Sequence, residues 1–424
     1  MKLSQTILTV FTAMIIIVLI MFFIINDTGS VEKKWPDDWL LKNNGDYRET
    51  SIKIHEFSYA DGMHTRTRNS KVVHGNSFVY TGYDEDGDSD VYVYDADTGE
   101  TIQITDSPAD ESRSIITEDY VFYVYRETPK HKNNVIYMYD RRTGERKEII
   151  RSKGYYAAPV NFTDGKLIYQ EDMNRYLTYD PILEETKTII DGMDVYNIAV
   201  AGENIVWSAG NSGNNDVFLY NFETDEKTVV CHEYYNQSNA CISGDYIVWE
   251  DHRNEETRHV KEIPKMKVSN DWNGEIYGYK ISTGEEFVIA SDKNVGFSDP
   301  NIAGNKVSFF ASVPEDHKFP QKGVVMLAEL SGTSAVVKPI STTFSRKSFP
   351  SFSGNWVVWA DSQSEEMDRP SIYGYSIIDE VEFQISTPED FVMPSRRSED
   401  TILLWTMSDE EDSKPINRGV VLSR

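Results

Sequence analysis

Short apolar runs and polar loops alternate along this chain in a unit that recurs eight times. Each unit begins with an apolar run ending in an aromatic residue, and a polar loop and a second, aromatic-rich run follow. Runs of β-branched and aromatic residues favour strands that are buried on both faces. The residues that end the first run recur at intervals of 38 to 60 residues: Tyr80, Tyr123, Tyr169, Trp207, Trp249, Phe309, Trp359 and Trp405.

A repeat of this length with four short strands is typical of a propeller blade. In the first unit the third strand, Val91 to Tyr94, is followed by Asp95-x-x-Thr98-Gly99-Glu100. Glycine can adopt the positive φ of such a turn, and the aspartate can accept a local backbone hydrogen bond. The pattern predicts an all-β fold, a single eight-bladed β-propeller. Seven blades are the alternative, if the third unit, Leu167 to Ile189, is an irregular insertion.

The two ends of the repeat region predict how the ring closes. The eighth unit stops at an apparent third strand, Gly419 to Arg424, whereas an additional strand, Thr50 to Phe57, precedes the first unit. An open ring would leave unpaired strand edges, which proteins avoid. We therefore expect the N-terminal strand to complete the last blade.

The fifth unit carries a family resemblance. It reads Asp-Tyr-Ile-Val-Trp-Glu-Asp-His-Arg at 245–253, followed by Ile-Tyr-Gly-Tyr and Ser-Thr-Gly-Glu. This resembles the repeat of TolB-like β-propeller proteins, particularly archaeal cell-surface propeller-repeat proteins, over roughly residues 50 to 424. The resemblance implies the fold but no catalytic role, because propellers support many unrelated activities. It implies that Asp251 and Arg253 brace the loop of their blade, with Asp361 as a partial counterpart.

The start of the chain predicts its location. Ile7 to Ile25 are nineteen residues without a charge, long enough to cross the hydrocarbon core as a helix. A cleavable signal peptide is the competing interpretation, but it usually has a shorter apolar core and a cleavage site of small residues. We expect a signal anchor at 1–25, a linker at 26–48 and the propeller at 49–424. The protein would then be a single-pass cell-membrane protein with its propeller outside the cytoplasm.

The net charge of the chain limits the classes of molecule that it can bind. A formal net charge of -27 and a pI near 4.7 argue against nucleic acid, because phosphates require a basic surface. The same acidity argues against an anionic membrane surface as partner.

An extracytoplasmic setting permits a disulfide between Cys231 and Cys241, the only two cysteines. Their positions on neighbouring blades also fit two buried thiols, and the sequence leaves both interpretations open.

One acidic loop is a candidate metal site. Asp84, Asp86, Asp88 and Asp90 alternate around Gly87 between the second and third strands of the first blade. Carboxylates in this spacing can supply hard oxygen ligands to Ca²⁺, and glycine permits the sharp bend. The bidentate glutamate of an EF-hand is absent at the required distance. A solvated hairpin loop is therefore the alternative to Ca²⁺ as a cofactor.

A second loop is a candidate binding segment. His252 to Asn273 lies within the longest interval and contains a group of basic residues: Arg253, Arg258, Lys261, Lys265 and Lys267. Loops mounted on a rigid scaffold often carry binding. This loop would either dock on an acidic patch of its own ring or contact an anionic ligand such as an acidic glycan. The loop Ser312 to Lys322 of the sixth unit would lie beside it.

No catalytic or cofactor-binding residue can be assigned from motifs. The sequence contains neither the Gly-x-Ser-x-Gly of serine hydrolases nor the His-Glu-x-x-His of zinc proteases. The prediction is a binding module for cell-surface recognition or envelope assembly, with a protein or glycan ligand. The alternative is a propeller enzyme acting on polysaccharide, a glycosidase or a lyase.

Overall fold

The structure is a computed structural model. It describes residues 71–83, 88–127, 134–152, 156–172, 174–211, 214–254, 274–293, 295–312, 322–362 and 371–386, and the backbone of 53–59, 402–408 and 415–423. All of these residues belong to one compact unit, Leu40–Arg424. The predicted anchor, most of the basic loop, Asp84 and Asp86 lie outside them.

Every regular element in the described ranges is a β-strand, and the strands are numbered β1 to β31 along the chain. The described strands form seven four-stranded sheets, sheets 1 to 7, and one three-stranded sheet, sheet 8. The described residues contain no helix with the length and apolar character that a membrane crossing requires.

The four-stranded sheets follow the chain in order. Sheet 1 comprises β2 (Val73–His74), β3 (Ser77–Tyr83), β4 (Ser89–Asp95) and β5 (Glu100–Gln103). Sheet 2 comprises β6 (Asp110–Ile116), β7 (Tyr120–Arg126), β8 (Val135–Asp140) and β9 (Arg146–Arg151). Sheet 3 comprises β10 (Ala157–Thr163), β11 (Lys166–Glu171), β12 (Arg175–Asp180) and β13 (Glu185–Asp191). Sheet 4 comprises β14 (Val195–Ala201), β15 (Asn204–Asn211), β16 (Asn214–Asn221) and β17 (Glu226–Cys231). Sheet 5 comprises β18 (Gln237–Ser243), β19 (Tyr246–Asp251), β20 (Glu275–Lys280) and β21 (Glu285–Ala290). Sheet 6 comprises β22 (Gly296–Ala303), β23 (Lys306–Ser312), β24 (Gly323–Ser331) and β25 (Ser334–Pro339). Sheet 7 comprises β26 (Arg346–Ser353), β27 (Trp356–Ser362), β28 (Ser371–Ser376) and β29 (Val381–Gln384).

Each of these sheets is an antiparallel meander in which the strands lie in chain order. The first strand of each later sheet packs against strands of the sheet before it: β6 on β3, β10 on β6, β14 on β10, β18 on β14, β22 on β18 and β26 on β22. Repeated four-stranded meanders that stack on one another through their inner strands define a β-propeller. The predicted all-β propeller fold is therefore confirmed.

Sheet 8 joins the two ends of the described chain. Its strand order is β1 (Lys53–Tyr59), β31 (Pro415–Ser423) and β30 (Ile402–Ser408). β1 and β31 are antiparallel, with Lys53 opposite Ser423 and Tyr59 opposite Asn417. The N-terminal strand thus pairs with the last strand of the final repeat, as predicted.

The core lies between neighbouring sheets rather than within one. Leu219 of sheet 4 and Trp249 of sheet 5 belong to one buried cluster, and Phe122 of sheet 2 shares another with Tyr169 of sheet 3. The outer strands are polar, and all four residues of β5 are exposed. One sheet cannot bury both of its apolar faces, so each repeat depends on its neighbours for stability.

The turn between the third and fourth strands has the predicted chemistry. Asp95 Oδ1 accepts hydrogen bonds from the backbone N–H groups of Asp97 and Thr98, both at 3.0 Å, and Gly99 has φ +73°. Burial acts to raise the pKa of Asp95, but these hydrogen bonds outweigh it and lower the pKa. The sequence motif therefore reports a real local structure.

Three degenerate turns place an acid where the motif has glycine. These acids have φ between +54° and +58°, and each forms an ion pair with a lysine on the outer strand of the preceding sheet: Glu184 with Lys147, Asp225 with Lys187 and Glu380 with Lys338. The left-handed conformation is unfavourable for a residue with a Cβ. An acid at this position of the turn thus adds an ion pair between neighbouring sheets, although glycine would adopt the same backbone conformation with less strain.

The two cysteines do not form a disulfide. Cys231 ends β17 and Cys241 lies in β18, and both are buried thiols. Of the two interpretations that the sequence left open, the structure supports the pair of thiols.

Candidate functional site

The strand order gathers the sequence-predicted loops at one edge of the sheets, called here the loop face. The connections from second to third strands, and those between successive sheets, all lie at this edge of the meander. The three candidate loops begin at the ends of β3, β19 and β23, at Tyr83, Asp251 and Ser312. The loop face is therefore the candidate functional surface.

Of the four predicted Ca²⁺ ligands, the structure describes Asp88 and Asp90. Asp90 is buried; its Oδ1 accepts a hydrogen bond from Thr105 Oγ1 at 3.0 Å, and its Oδ2 accepts one from Gln103 Nε2 at 3.3 Å. Asp88 is partly exposed. No group of three potential metal-ligating side chains occurs among the described residues. Asp90 thus stabilises its own sheet, and Ca²⁺ binding by this loop stays a prediction.

In sheets 1, 6 and 7 a side-chain hydroxyl just after the outer strand stabilises the end of the sheet at the loop face. It accepts a hydrogen bond from a backbone N–H of the third strand: Val91 N to Thr105 Oγ1 at 2.8 Å, Val325 N to Ser341 Oγ at 2.9 Å, and Ile372 N to Ser386 Oγ at 2.8 Å. These bonds extend the pairing of the two outer strands beyond the ladder. They add hydrogen bonds at the ends of the strands where the loops begin.

Asp251 and Arg253 form the predicted brace. Arg253 donates to Asp251 from Nε at 2.9 Å and from Nη2 at 2.7 Å, and Trp249 Nε1 donates to the same carboxylate at 2.8 Å. Arg253 Nη1 also donates to Glu286 at 2.7 Å, and its guanidinium lies 4.1 Å from the centroid of the Tyr277 ring. Burial acts to lower the pKa of Arg253, but the bonds to Asp251 and Glu286 outweigh it and raise the pKa. Arg253 is therefore committed to the fold.

Sheet 7 uses a different cation for the equivalent aspartate. Lys347 Nζ lies 3.1 Å from Asp361 Oδ2, and both side chains are fully buried. Ser345 Oγ donates to Asp361 Oδ1, and Lys347 Nζ donates to the carbonyl oxygen of Thr343 at 2.6 Å. Burial lowers the pKa of Lys347, and the charge of Asp361 opposes that change.

This group contains a serine beside a lysine, the pairing of some nucleophilic catalysts. Ser345 is only 6% exposed and already donates to Asp361, so the group serves as a brace. Sequence reasoning identified Asp361 but missed Lys347, because the two residues meet only when β26 pairs with β27.

A buried carboxylate and imidazole lie between sheets 5 and 6. Glu250 Oε1 is 3.0 Å from His252 Nε2, and Glu250 Oε2 accepts from Asn239 Nδ2 and from the backbone N–H of Asp299, both at 3.1 Å. A Cβ at Gly274 would lie 2.8 Å from Glu250 Cγ and 2.6 Å from the Phe297 carbonyl oxygen. Glycine at 274 is therefore needed for the close approach of these strands.

The fold defines the class of protein as a β-propeller, with the connections between second and third strands at one face. No family model matches the chain, and no curated protein matches it. Among solved structures, the computationally designed Ika8 protein is similar over 85% of this chain and 96% of its own, with a TM-score of 0.54 and 11% identity.

Two natural proteins are also similar in structure. A prolyl endopeptidase matches over 83% of this chain with a TM-score of 0.52 and 11% identity, and this chain spans 55% of that protein. TolB from Acinetobacter baumannii matches over 74% of this chain and 80% of its own, with a TM-score of 0.37 and 13% identity. Likenesses at these identities concern the fold alone.

Proposed function

We propose that this chain is a single-pass membrane protein that presents an eight-bladed β-propeller outside the cytoplasm as a binding module. Its anchor is residues 1–25, its linker 26–48 and its propeller 49–424. The module acts in cell-surface recognition or envelope assembly, with a protein or glycan as ligand. The further resemblance to archaeal cell-surface proteins rests on the motif at 245–253 and belongs to this proposal.

Eight blades account for the strand pairing better than seven. The third repeat, which the seven-bladed alternative treats as an insertion, forms sheet 3 with the same four-stranded meander as its neighbours. Sheet 8 combines β1 with β30 and β31, as expected for a blade that is completed by the N-terminal strand. Such a closure protects both terminal strand edges.

The observation that carries the binding proposal is the set of buried hydrogen bonds beneath the loop face. Buried groups on three sheets, Asp90, Glu250, Asp251 and Asp361, make hydrogen bonds near the strand ends. A rigid scaffold beneath long loops is the usual design of a recognition surface. The loops can therefore specify a ligand while the sheets retain their geometry.

The test is binding of the full chain, in detergent micelles, to an array of cell-envelope glycans and proteins, with each captured ligand analysed by mass spectrometry. Binding without change of the ligand is expected. Absence of specific binding to every class on the array would contradict the proposal. The intact mass of the purified chain tests the anchor, since a cleaved signal peptide would lower the mass by that of the N-terminal segment.

An enzyme acting on polysaccharide, a glycosidase or lyase, is the second candidate function. The observation in its favour is the pairing of Glu250 with His252 at 3.0 Å, since carboxylate and imidazole groups are common general acids and bases. Cleaved products in the mass spectra would support this candidate over the binding module. Loss of that cleavage in Glu250→Gln, with ligand capture retained, would assign the activity to this pair.

A further inference from the structure

The inner strands of several sheets contain a bulge at the same position. In sheets 2, 5 and 6 the first bulged residue has positive φ: Arg113 at 52°, Asn239 at 55° and Asp299 at 53°. Asparagine and aspartate adopt this conformation more readily than other residues with a side chain. Arg113 therefore holds a conformation that costs about 1 kcal/mol and that its side chain does not favour.

The three bulges differ in what they contribute to the fold. Asn239 donates its side-chain N–H to Glu250, and the backbone N–H of Asp299 donates to the same carboxylate. Arg113 is exposed and forms no ion pair among the described residues. Arg113 is therefore the one of these three bulged residues whose side chain is both exposed and cationic.

Arg113 is positioned by an aromatic residue of the next sheet. Its Nη1 donates a hydrogen bond of 2.5 Å to the Tyr156 hydroxyl, and its guanidinium carbon lies 4.9 Å from the centroid of the Tyr156 ring. Tyr156 directly precedes β10 and is only partly buried. The bulged residue of sheet 4, Tyr196, is 53% exposed. Arg113 and Tyr196 thus occupy the bulges of the inner strands of sheets 2 and 4, and Tyr156 directly precedes the inner strand of sheet 3.

These groups define a ligand by their chemistry. A guanidinium forms a planar pair of hydrogen bonds with a carboxylate, and tyrosine offers both an apolar ring face and a polar hydroxyl. The net charge of -27 repels a polyanion, so the ligand should carry one negative charge on a neutral body. A saccharide with a single carboxylate meets these requirements, because its ring faces pack on aromatic rings and its hydroxyls form hydrogen bonds.

We infer that the inner edge of sheets 2 to 4 is a binding site for a saccharide bearing one carboxylate. Arg113 binds the carboxylate, and Tyr156 and Tyr196 contact the sugar ring. This inference rests on the proposed binding function and assigns its ligand class and its place in the fold.

The test is calorimetric titration of the full chain with an oligosaccharide whose single charged group is one glucuronate, and with the carboxyl-reduced, neutral form of the same oligosaccharide. Arg113→Asn removes the charge and suits the positive φ, so affinity should fall at least tenfold while the melting temperature stays level or rises. The matched control is Arg142→Asn, a change at an exposed arginine in the turn between β8 and β9. It should leave the affinity unchanged. Tyr156→Phe should weaken binding less than Arg113→Asn, because it retains the ring.

Equal affinity for the carboxyl-reduced sugar, or wild-type affinity of Arg113→Asn, would overturn the inference. So would a lower melting temperature of Arg113→Asn, which would make Arg113 a packing residue. Binding only of a neutral peptide with one free carboxylate would overturn the assignment to saccharides. If other ligands on the array bind regardless of Arg113, the inference fails and the binding module stands; if none binds, both fail.

Discussion

At the scale of single residues, the loop face is held by buried charges whose partners come from different strands. Asp251 is neutralised by Arg253, two residues further along the chain, whereas Asp361 is neutralised by Lys347 on the neighbouring strand. Removing one member of a buried ion pair leaves an uncompensated charge, which is more costly than replacing both. Equivalent positions in two repeats have thus reached the same electrostatic result by different routes.

Lys347→Met should therefore lower the free energy of unfolding by about 3 to 5 kcal/mol. The double variant Lys347→Met, Asp361→Leu should be more stable than Lys347→Met alone, since no buried charge remains. Urea denaturation followed by tryptophan fluorescence measures both. Lys306→Met is the control, because its partner Glu329 is 63% exposed, and it should change little. Equal stability of the single and double variants would contradict this account.

Glu111 predicts a pH dependence of stability. Burial raises the pKa of Glu111 to about 7, although Ser107 donates a hydrogen bond to it; Asp90 and Asp110 act in the same direction as burial, and Arg146 opposes them. Its Oε2 has no hydrogen-bond partner among the described residues. The folded state thus binds this proton more tightly than the unfolded state, whose carboxyl has a pKa near 4.5. Its contribution to stability is fully present below pH 4.5 and is lost as the pH rises to about 7.

Glu111→Gln should consequently stabilise the protein at pH 8, by about 1 to 3 kcal/mol, which is the usual penalty for an unsatisfied buried group. At pH 5 the variant and the wild type should differ little, because Glu111 is then protonated in the folded state. Melting temperatures across this pH range measure the effect. Glu118→Gln, a change at an exposed residue, should shift neither value. A stabilisation of Glu111→Gln that is independent of pH would refute the titration of Glu111.

At the scale of strands, sheets 1, 6 and 7 are each stabilised by a hydroxyl that lies beyond the ladder of their two outer strands. Ser341→Ala leaves the backbone N–H of Val325 without its 2.9 Å acceptor, so a loss of about 1 to 3 kcal/mol is expected. Ser334→Ala is the matched control, since Ser334 is exposed at the start of the same outer strand. Chemical denaturation compares the two. Similar small changes in both variants would show that the hydroxyl is dispensable.

The pairing of β1 with β31 predicts a large effect of the N-terminal strand. Deleting residues 49–58 removes most of β1 and should lower the melting temperature, because β31 would then present an unpaired edge. Deletion of an equal number of linker residues, 30–39, is the control and should be tolerated. An unchanged melting temperature after the first deletion would reject the closure of the ring by this strand.

At the scale of the whole molecule, a net charge of -27 makes bound cations favourable. If the loop from Asp84 to Asp90 binds Ca²⁺, EDTA should lower the melting temperature of the full chain, and added Ca²⁺ should restore it. Asp86→Ala should abolish this sensitivity, whereas Asp119→Ala, at a half-exposed aspartate outside that loop, should retain it. A melting temperature that is insensitive to EDTA in the wild type would remove this loop as a cation site.

The sequence by itself determined the propeller, its repeated strands and the pairing of its ends. These features depend on local patterns: apolar runs make strands, and the aspartate and glycine of the turn act within six residues, as Asp95 and Gly99 do. The brace of Asp251 by Arg253 was also predictable, because both residues lie in one motif.

Only the tertiary structure decided which distant residues meet. Lys347 pairs with Asp361 through strand register, Glu250 joins two sheets through Asn239 and Asp299, and Arg113 reaches Tyr156 from the neighbouring sheet. Such contacts depend on the stacking of blades and on bulges that redirect single side chains, and no local pattern encodes them. The fold of this protein follows from its repeats, whereas its candidate sites arise where the repeats differ and come into contact.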